Sequence, residues 1–290
     1  MQKRHSVGHT NSRHTSLRLM LGLLLSSGIG LLAYRRQSLD KSGVLGAIAS
    51  GTSIVGMGGW SWGLSLIYFF VSSSLLSYFR AQEKASAAVD KFSKGSRRDL
   101  SQAAANGGLA TLFALLYGFS QSPSTRRVAK AGFTGALAAA TADTWATELG
   151  VLSVSSPRLI TSGQPVVPGT SGGVTLLGMA ASALGAYSLG FFFWAGQGFR
   201  KSLAPAPLLA LISGMVGSCF DSFLGATLQA MYYCPACKTE TERRIHRCGA
   251  RTEFLRGIAW MNNDVVNFLA TASGSAVAIT MGSCFLPEEV

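Results

Sequence analysis

The sequence predicts an all-α integral membrane protein, a polytopic bundle of about 8 (6–8) transmembrane helices. Three observations carry this. Only 13% of the 290 residues are charged, against about a quarter in an ordinary globular domain. The apolar residues come in blocks of roughly 16 to 24, near the ~20 that cross a bilayer. The polar side chains inside those blocks gather toward block ends. The net charge of +12 would point to nucleic acid in a soluble chain. Here the basic residues sit between apolar blocks, where they set topology. The basic loops also lack the interleaved aromatics of a single-strand binder, so no nucleic-acid partner is expected.

Residues 1–16 read as a basic N-terminal tail, with Lys3, Arg4, His5, His9, Arg13 and His14 and no acid before Asp40. Such a segment is either a disordered tail or a cleaved organelle presequence, which is Arg- and Ser-rich and poor in acids. Residues 17–284 form a single transmembrane domain. Its spans are expected at Leu17–Tyr34, Gly43–Gly58, Trp60–Phe79, Ala103–Phe119, Val128–Leu149, Val174–Gly196, Pro207–Met231 and Asn263–Cys284. Alternate loops then share a side. Loops 35–42, 80–101, 151–173 and 232–257 together carry sixteen Lys and Arg against nine for the opposite side. The positive-inside rule makes the richer side cytoplasmic. The expected membrane is the cell membrane in a bacterium, or a plastid or other organelle membrane.

Most intramembrane polar groups converge on that side. The fourth span leaves it with Arg98, Asp99, Gln102 and Asn106, where Asp99, Gln102 and Asn106 share a helix face. The fifth span reaches it with Asp143, Thr144 and Glu148, and the seventh with Asp221 and Ser222. The eighth departs with Asn263, Asp264 and Asn267. A carboxylate in an apolar helix is costly unless it has a partner. Magnesium takes one or two carboxylates plus phosphates and waters, and Asp143, Glu148, Asp221 and Asp264 offer enough for one or two ions. The rival reading is a set of interhelical hydrogen bonds. Small-residue faces precede two of the acids: Gly132 and Gly135 before Asp143, Gly214 and Gly217 before Asp221. They read as close helix packing or as an internal repeat.

Between the fifth and sixth spans lies Pro168-Gly169-Thr170-Ser171-Gly172-Gly173, a Gly-rich segment running into a helix start. Backbone N–H groups there favour an anion. It lacks the Lys of a phosphate-binding P-loop and the acid of a dinucleotide fingerprint. Arg158 and Arg98 would neutralise phosphate charge. The last loop holds Cys234-Pro235-Ala236-Cys237 and then His246-Arg247-Cys248, ligands for a closed structural Zn²⁺ site. Such a site orders the loop and leaves no open position for chemistry. No Ser/His/Asp arrangement can be built on this side without His246.

The segments Ala142-Asp143-Thr144-Trp145-Ala146-Thr147-Glu148, Pro157-Arg158-Leu159-Ile160-Thr161 and Pro168 to Gly178 resemble the signature of one integral-membrane family. It is the family of plant phytyl-phosphate kinase and vertebrate transmembrane protein nineteen, and the likeness runs from about Lys41 to about Ala278. The resemblance implies a kinase that moves a phosphate from a nucleoside triphosphate, CTP among the donors, to a prenyl or phytyl monophosphate. The partners expected are therefore a nucleoside triphosphate, an isoprenoid phosphate lipid and the membrane, with Mg²⁺ as cofactor. Asp143, Glu148, Asp221 and Asp264 would hold the metal. Asn106, Asn263 and Asn267, with Asp99 and Thr144 beside them, would orient phosphate oxygens or metal waters. Arg98, Arg158 and the segment Pro168, Gly169, Thr170, Gly172 and Gly173 would bind phosphates. The alternative is an ion-coupled transporter or lipid flippase, which would place its acids at the membrane midplane. A structural subunit would leave the acids unexplained.

Overall fold

The computed structural model describes residues 5–87 and 97–285. Lys3, Arg4 and the stretch 88–96 of the loop expected on the cytoplasmic side lie outside the described residues. The helices are α1 (His5–Arg35), α2 (Lys41–Ser53), α3 (Trp60–Tyr78), the short α4 (Ala81–Ala87), α5 (Leu100–Phe119), α6 (Pro123–Gly150), α7 (Leu176–Gly196), α8 (Ala206–Thr227) and α9 (Asn263–Phe285). A π-helical turn, Ile54–Gly58, extends α2. Apart from the start of the first, each expected span coincides with a helix to within a few residues. Four helices are long and apolar enough to cross a membrane by length and composition alone: α1 over His14–Arg35, α7, α8 with the turn before it, and α9. Helix α1 begins at His5, so residues 5–16 of the basic N-terminal stretch continue it: no proline interrupts them, and propagation from the apolar part adds one hydrogen bond per residue.

Side chains set the helix starts. Asp40 accepts from Gly43 N (2.7 Å) and caps α2. Asp99 accepts from Gln102 N (2.9 Å) and caps α5. Ser122 caps α6, with Pro123 in its first turn, a position where proline loses no hydrogen bond. Thr175 caps α7 through Gly178 N (3.0 Å). The starts of α2 and α5 are tied together: Asp40 N donates to Arg98 O (3.0 Å) and Arg98 N to Ser38 O (2.9 Å).

Helix α6 is the axis of the bundle. It packs against α3, α5, α7, α8 and α9, and every residue from Ala129 to Ala142 is buried. Its Ala, Gly and Thr composition is what admits so many neighbours, since small side chains let backbones approach. A Cβ on Gly135 would lie 2.4 Å from Gly274 O of α9, and one on Gly217 of α8 would lie 2.4 Å from Ala139 Cβ. Around this thin axis the larger core groups are Trp62, Phe133 and Phe193, with the Trp62 and Phe133 rings 4.2 Å apart. The outer faces of α1, α3 and α7 carry exposed Leu, Phe and Tyr, as a lipid-facing surface requires.

Two small β elements cover one end. β1 (Arg158–Leu159) and β2 (Gly173–Val174) pair antiparallel inside the α6–α7 loop. β3 (Met231–Cys234), β4 (Thr239–Thr241) and β5 (Glu253–Arg256) form a sheet in the order β4-β3-β5 between α8 and α9. The sheet is clamped to the end of α8: Arg256 Nη1 donates to Ala226 O (3.0 Å), and Ile258 N to Leu228 O (2.9 Å).

Candidate functional site

The starts of α5, α7 and α9 and the ends of α3, α6 and α8 meet beneath these β elements around one open cavity of about 280 Å³. From α6 come Asp143, Thr144, Thr147 and Glu148, and from α8 Ser218, Asp221 and Ser222. Helix α5 contributes Gln102 and Asn106, and α9 contributes Asn263 and Asn267. Arg98 lines it just before α5, and the segment Pro168, Gly169, Thr170, Ser171, Gly172 and Gly173 forms one wall. Residues far apart in sequence are thus brought together at the end where the polar groups were expected to gather.

Two carboxylates dominate the cavity. Asp143 and Asp221 act on each other electrostatically, and Glu242 adds a third negative charge against Asp221. Asp221 Oδ2 is buried and has no hydrogen-bond partner. Neither aspartate takes part in an ion pair among the described residues. An uncompensated buried carboxylate is costly, so this arrangement favours a cation. An oxygen-rich pocket of carboxylates, Asn and Ser suits a hard ion such as Mg²⁺.

The Gly-rich wall is shaped by positive φ at Gly169 (80°) and Gly172 (83°). A Cβ on Gly172 would meet Ala226 at 2.5 Å, so only glycine lets the loop lie against the end of α8. Ser171 Oγ donates to Gln229 Oε1 (3.0 Å). Two of the loop N–H groups are spent inside it, Thr170 N on Val167 O (3.1 Å) and Gly173 N on Thr170 O (2.9 Å). The anion-binding capacity of this wall is therefore smaller than the glycine count alone implies.

Four expected site residues have other work. Glu148 lines the cavity, but its carboxylate is ion-paired to Lys84 Nζ (2.6 Å) and accepts from Ser77 Oγ (2.5 Å), which satisfies it without a metal. Asp99 is the N-cap of α5 and also takes the Ser101 hydroxyl (2.8 Å). Asp264 accepts from Ser101 Oγ (2.9 Å) in the first turn of α9 and is not part of the cavity wall. Arg158 donates to Gly163 O (2.8 Å) across its own hairpin, also away from the wall. In the other direction, Gln102, Gln229 and Glu242 line the cavity without having been assigned a role from sequence. Glu242 is held by Gln229 Nε2 (2.8 Å). Its only local signal is an acid in a basic loop, and it reaches the cavity because the β3–β5 sheet folds back over α8.

That sheet carries a second cluster. Cys234, Cys237, His246 and Cys248 place one ligand atom each within 4.8 Å of one another. Cys234 Sγ lies 3.7 Å from Cys248 Sγ, and His246 Nδ1 lies 3.2 Å from Cys248 Sγ. Cys234 ends β3, and Lys238 turns the chain with φ 54°. The Ala250 N–H and His246 pull the Cys248 thiol down to about 6, while hydrogen bonding to Cys248 pushes the Cys237 thiol up to about 11. The four groups form a Cys/His cluster of a kind that could hold a metal ion.

Comparison with known proteins agrees with the architecture. The profile described as "Integral membrane protein DUF92" matches residues 24–275. The chain is 32% identical over 272 residues to "Protein PGR" of Arabidopsis thaliana, covering 87% of this chain and 92% of that protein. It is 29% identical over 271 residues to an uncharacterized membrane protein of Methanocaldococcus jannaschii, covering 93% and 96%. It is 23% identical over 257 residues to "Protein VTE6, chloroplastic" of Arabidopsis thaliana, covering 87% and 68%. No solved structure matches. The chain is a multi-pass membrane protein and belongs to the DUF92 family of integral membrane proteins.

Proposed function

We propose that the protein is a membrane-embedded kinase that transfers the terminal phosphate of a nucleoside triphosphate, with CTP as a candidate donor, to a prenyl or phytyl monophosphate. The observation that carries this reading is the Asp143–Asp221 pair, two carboxylates without counter-charge, facing a Gly-rich wall. The low-identity likeness to VTE6 and the resemblance of the Asp143, Arg158 and Pro168–Gly178 segments to the phytyl-phosphate kinase signature support it.

In phosphoryl transfer the protein mainly positions groups and stabilises charge. Asp143 and Asp221, with Glu242 near them, would hold Mg²⁺, which when bound neutralises the triphosphate and polarises its oxygens. Glu148, ion-paired to Lys84, is left out of that set. The Pro168–Gly173 wall would take donor phosphate oxygens. Asn106, Asn263 and Asn267 would hydrogen-bond phosphate oxygens of either substrate. A lipid phosphate oxygen attacks the terminal phosphorus, the bond from that phosphorus to the bridging oxygen breaks, and the nucleoside diphosphate leaves with the electron pair. The acceptor is already an anion at neutral pH, so no general base is required. The Cys/His cluster would hold a structural Zn²⁺ that fixes the sheet and, through Gln229, the position of Glu242.

The deciding experiment is a turnover assay of the purified full chain with γ-labelled CTP, ATP, GTP and UTP and a panel of prenyl monophosphates in Mg²⁺. Label appearing in a prenyl diphosphate is the expected result. No labelled lipid from any donor in a metal-loaded, folded preparation would sink the kinase reading.

A further inference from the structure

An apolar cleft adjoins the polar cavity. It lies among α1, α2, α3 and α5, encloses about 90 Å³, and has Leu25, Ile29, Val55, Leu66, Phe69 and Phe70 in its walls. Arg98, Gln102 and Asn106 line both spaces. On the far side, Leu25 and Ile29 also border a shallow apolar surface with Leu21, Leu24, Leu32 and Trp60. One track therefore runs from the carboxylate cavity, past three polar side chains, through the cleft, to the outer face of α1.

We infer that this track seats a single-chain lipid phosphate, its tail in the α1–α2–α3–α5 cleft and its phosphate on Arg98, Gln102 and Asn106. The polarity change along the track matches an amphiphile with one charged end. The cleft walls offer almost nothing to a nucleotide base or an ion, and a narrow space of this size takes one chain more readily than two. Arg98 stands at the boundary. Its backbone is pinned to Ser38 and Asp40, its guanidinium lies over the Phe70 ring of the cleft (5.7 Å), and Nη1 donates to Ser74 Oγ (3.1 Å). The charge of the neighbouring Glu148 reaches Arg98, but Glu148 is ion-paired to Lys84 and no ion pair to Arg98 forms among the described residues, so its guanidinium can meet an external anion. Gln102 Oε1 is buried with no hydrogen-bond partner. Its amide turned either way meets a phosphate O–H or a phosphate oxygen. The inference rests on the phosphotransfer reading only for the fate of the phosphate; the tail seat rests on the cleft.

Gly107 lines the cleft, and a Cβ there would meet nothing within 4 Å. The base of a leucine placed there by Gly107→Leu therefore has room, and its side chain should fill the tail seat. The probe is geranylgeranyl monophosphate carrying a diazirine near the tail end, photolysed with the full chain in detergent. Labelled peptides should map to α1, α3 and α5, and Gly107→Leu should lower labelling at least tenfold with an unchanged melting temperature. Ala47→Leu, from another wall, should give the same loss and stands in if the first variant misfolds. Arg98→Gln should weaken binding of the phosphate probe at least tenfold and leave the matching prenyl alcohol probe unaffected. Labelling that maps elsewhere, that persists in both filled variants, or that a two-chain phospholipid probe reproduces would overturn the tail seat. The readout needs no nucleotide and no turnover. Cleft labelling without any phosphotransfer would thus remove the kinase reading alone, and phosphotransfer with labelling elsewhere would remove the tail seat alone.

Discussion

Asp221→Asn separates a metal-holding carboxylate from a packing one. Asp221 Oδ2 is buried without a hydrogen-bond donor, and Asp143 and Glu242 add repulsion. A carboxylate inside an apolar helix costs on the order of ~3 kcal/mol on insertion scales. The substituted amide keeps the volume and loses the charge, at a cost of ~1–2 kcal/mol for an unsatisfied N–H. Subtracting the two leaves the metal-free variant more stable by ~1–2 kcal/mol, a rise of ~2–6 °C in melting temperature for a chain of this size. Function should move the opposite way. A hard cation needs anionic oxygen, and losing ~3 kcal/mol of charge stabilisation at the reacting phosphate lowers turnover ~100-fold. The measurement is turnover and Mg²⁺-dependent nucleotide binding beside thermal unfolding in detergent, in metal-free and Mg²⁺ buffers. Asp143→Asn should reproduce both changes. Wild-type turnover in both variants, or lower stability with turnover intact, would refute the assignment and return the two acids to a packing role.

The Lys84–Glu148 pair predicts the reverse pattern. Its side chains are 11% and 22% exposed, so Lys84→Met should destabilise by ~1–2 kcal/mol, between exposed and fully buried pairs, and Glu148→Gln in the same chain should recover part of it in a thermal melt. Untreated protein should carry about one zinc per chain by metal analysis; Cys237→Ser should release it and raise the nucleotide KM through Glu242, and zinc-free wild-type protein would end the structural-zinc idea. Gly135→Ala drives a Cβ to 2.4 Å from the Gly274 carbonyl oxygen, so overpacking should cost ~1–3 kcal/mol, read as a lower melting temperature. Single cysteines placed in loops 151–173 and 232–257 should react with an impermeant reagent from the same side of sealed vesicles; labelling from opposite sides would dismantle the cavity.

Helix positions were legible because the signal is one-dimensional. Apolar block length marks the helices from short-range pattern alone. The extension of α1 back to His5 was not legible, since a basic polar stretch looks the same whether it frays or propagates from the helix behind it. The convergence of polar ends was also legible, because alternate loops of a helical bundle must share an end. Individual roles were not. Asp99 and Asp264 look like site acids in sequence, yet one caps a helix and the other meets Ser101. Glu148 looks like a metal ligand until Lys84, 64 residues away, supplies its counter-charge. Glu242 enters the cavity only through the pairing of β3 with β4 and the clamp of Arg256 on α8, contacts that leave no periodic trace.

The small-residue faces bring the packing and chemical readings of the acids together. Gly132–Gly135 and Gly214–Gly217 were open to interpretation as helix packing or as an internal repeat. In the fold, Gly217 of α8 sits on Ala139 of α6, and a Cβ on Gly214 would lie 2.9 Å from Ala138 O. Helices α6 and α8 run in the same direction, both ending at the cavity. In an α-helix one turn is 3.6 residues, so a step of one turn beyond that close contact leads along α8 to Asp221 and along α6 to Asp143. Backbones held this near on one turn keep the side chains of the next turn near as well. The glycines are packing residues by contact, and through that packing they set two carboxyl groups side by side, an arrangement that a cation between them would stabilise. A larger side chain at Gly217 should therefore weaken Mg²⁺-dependent nucleotide binding even though it touches no ligand. Gly217→Val with normal metal-dependent binding in a folded preparation would show that the spacing of the acids is set elsewhere.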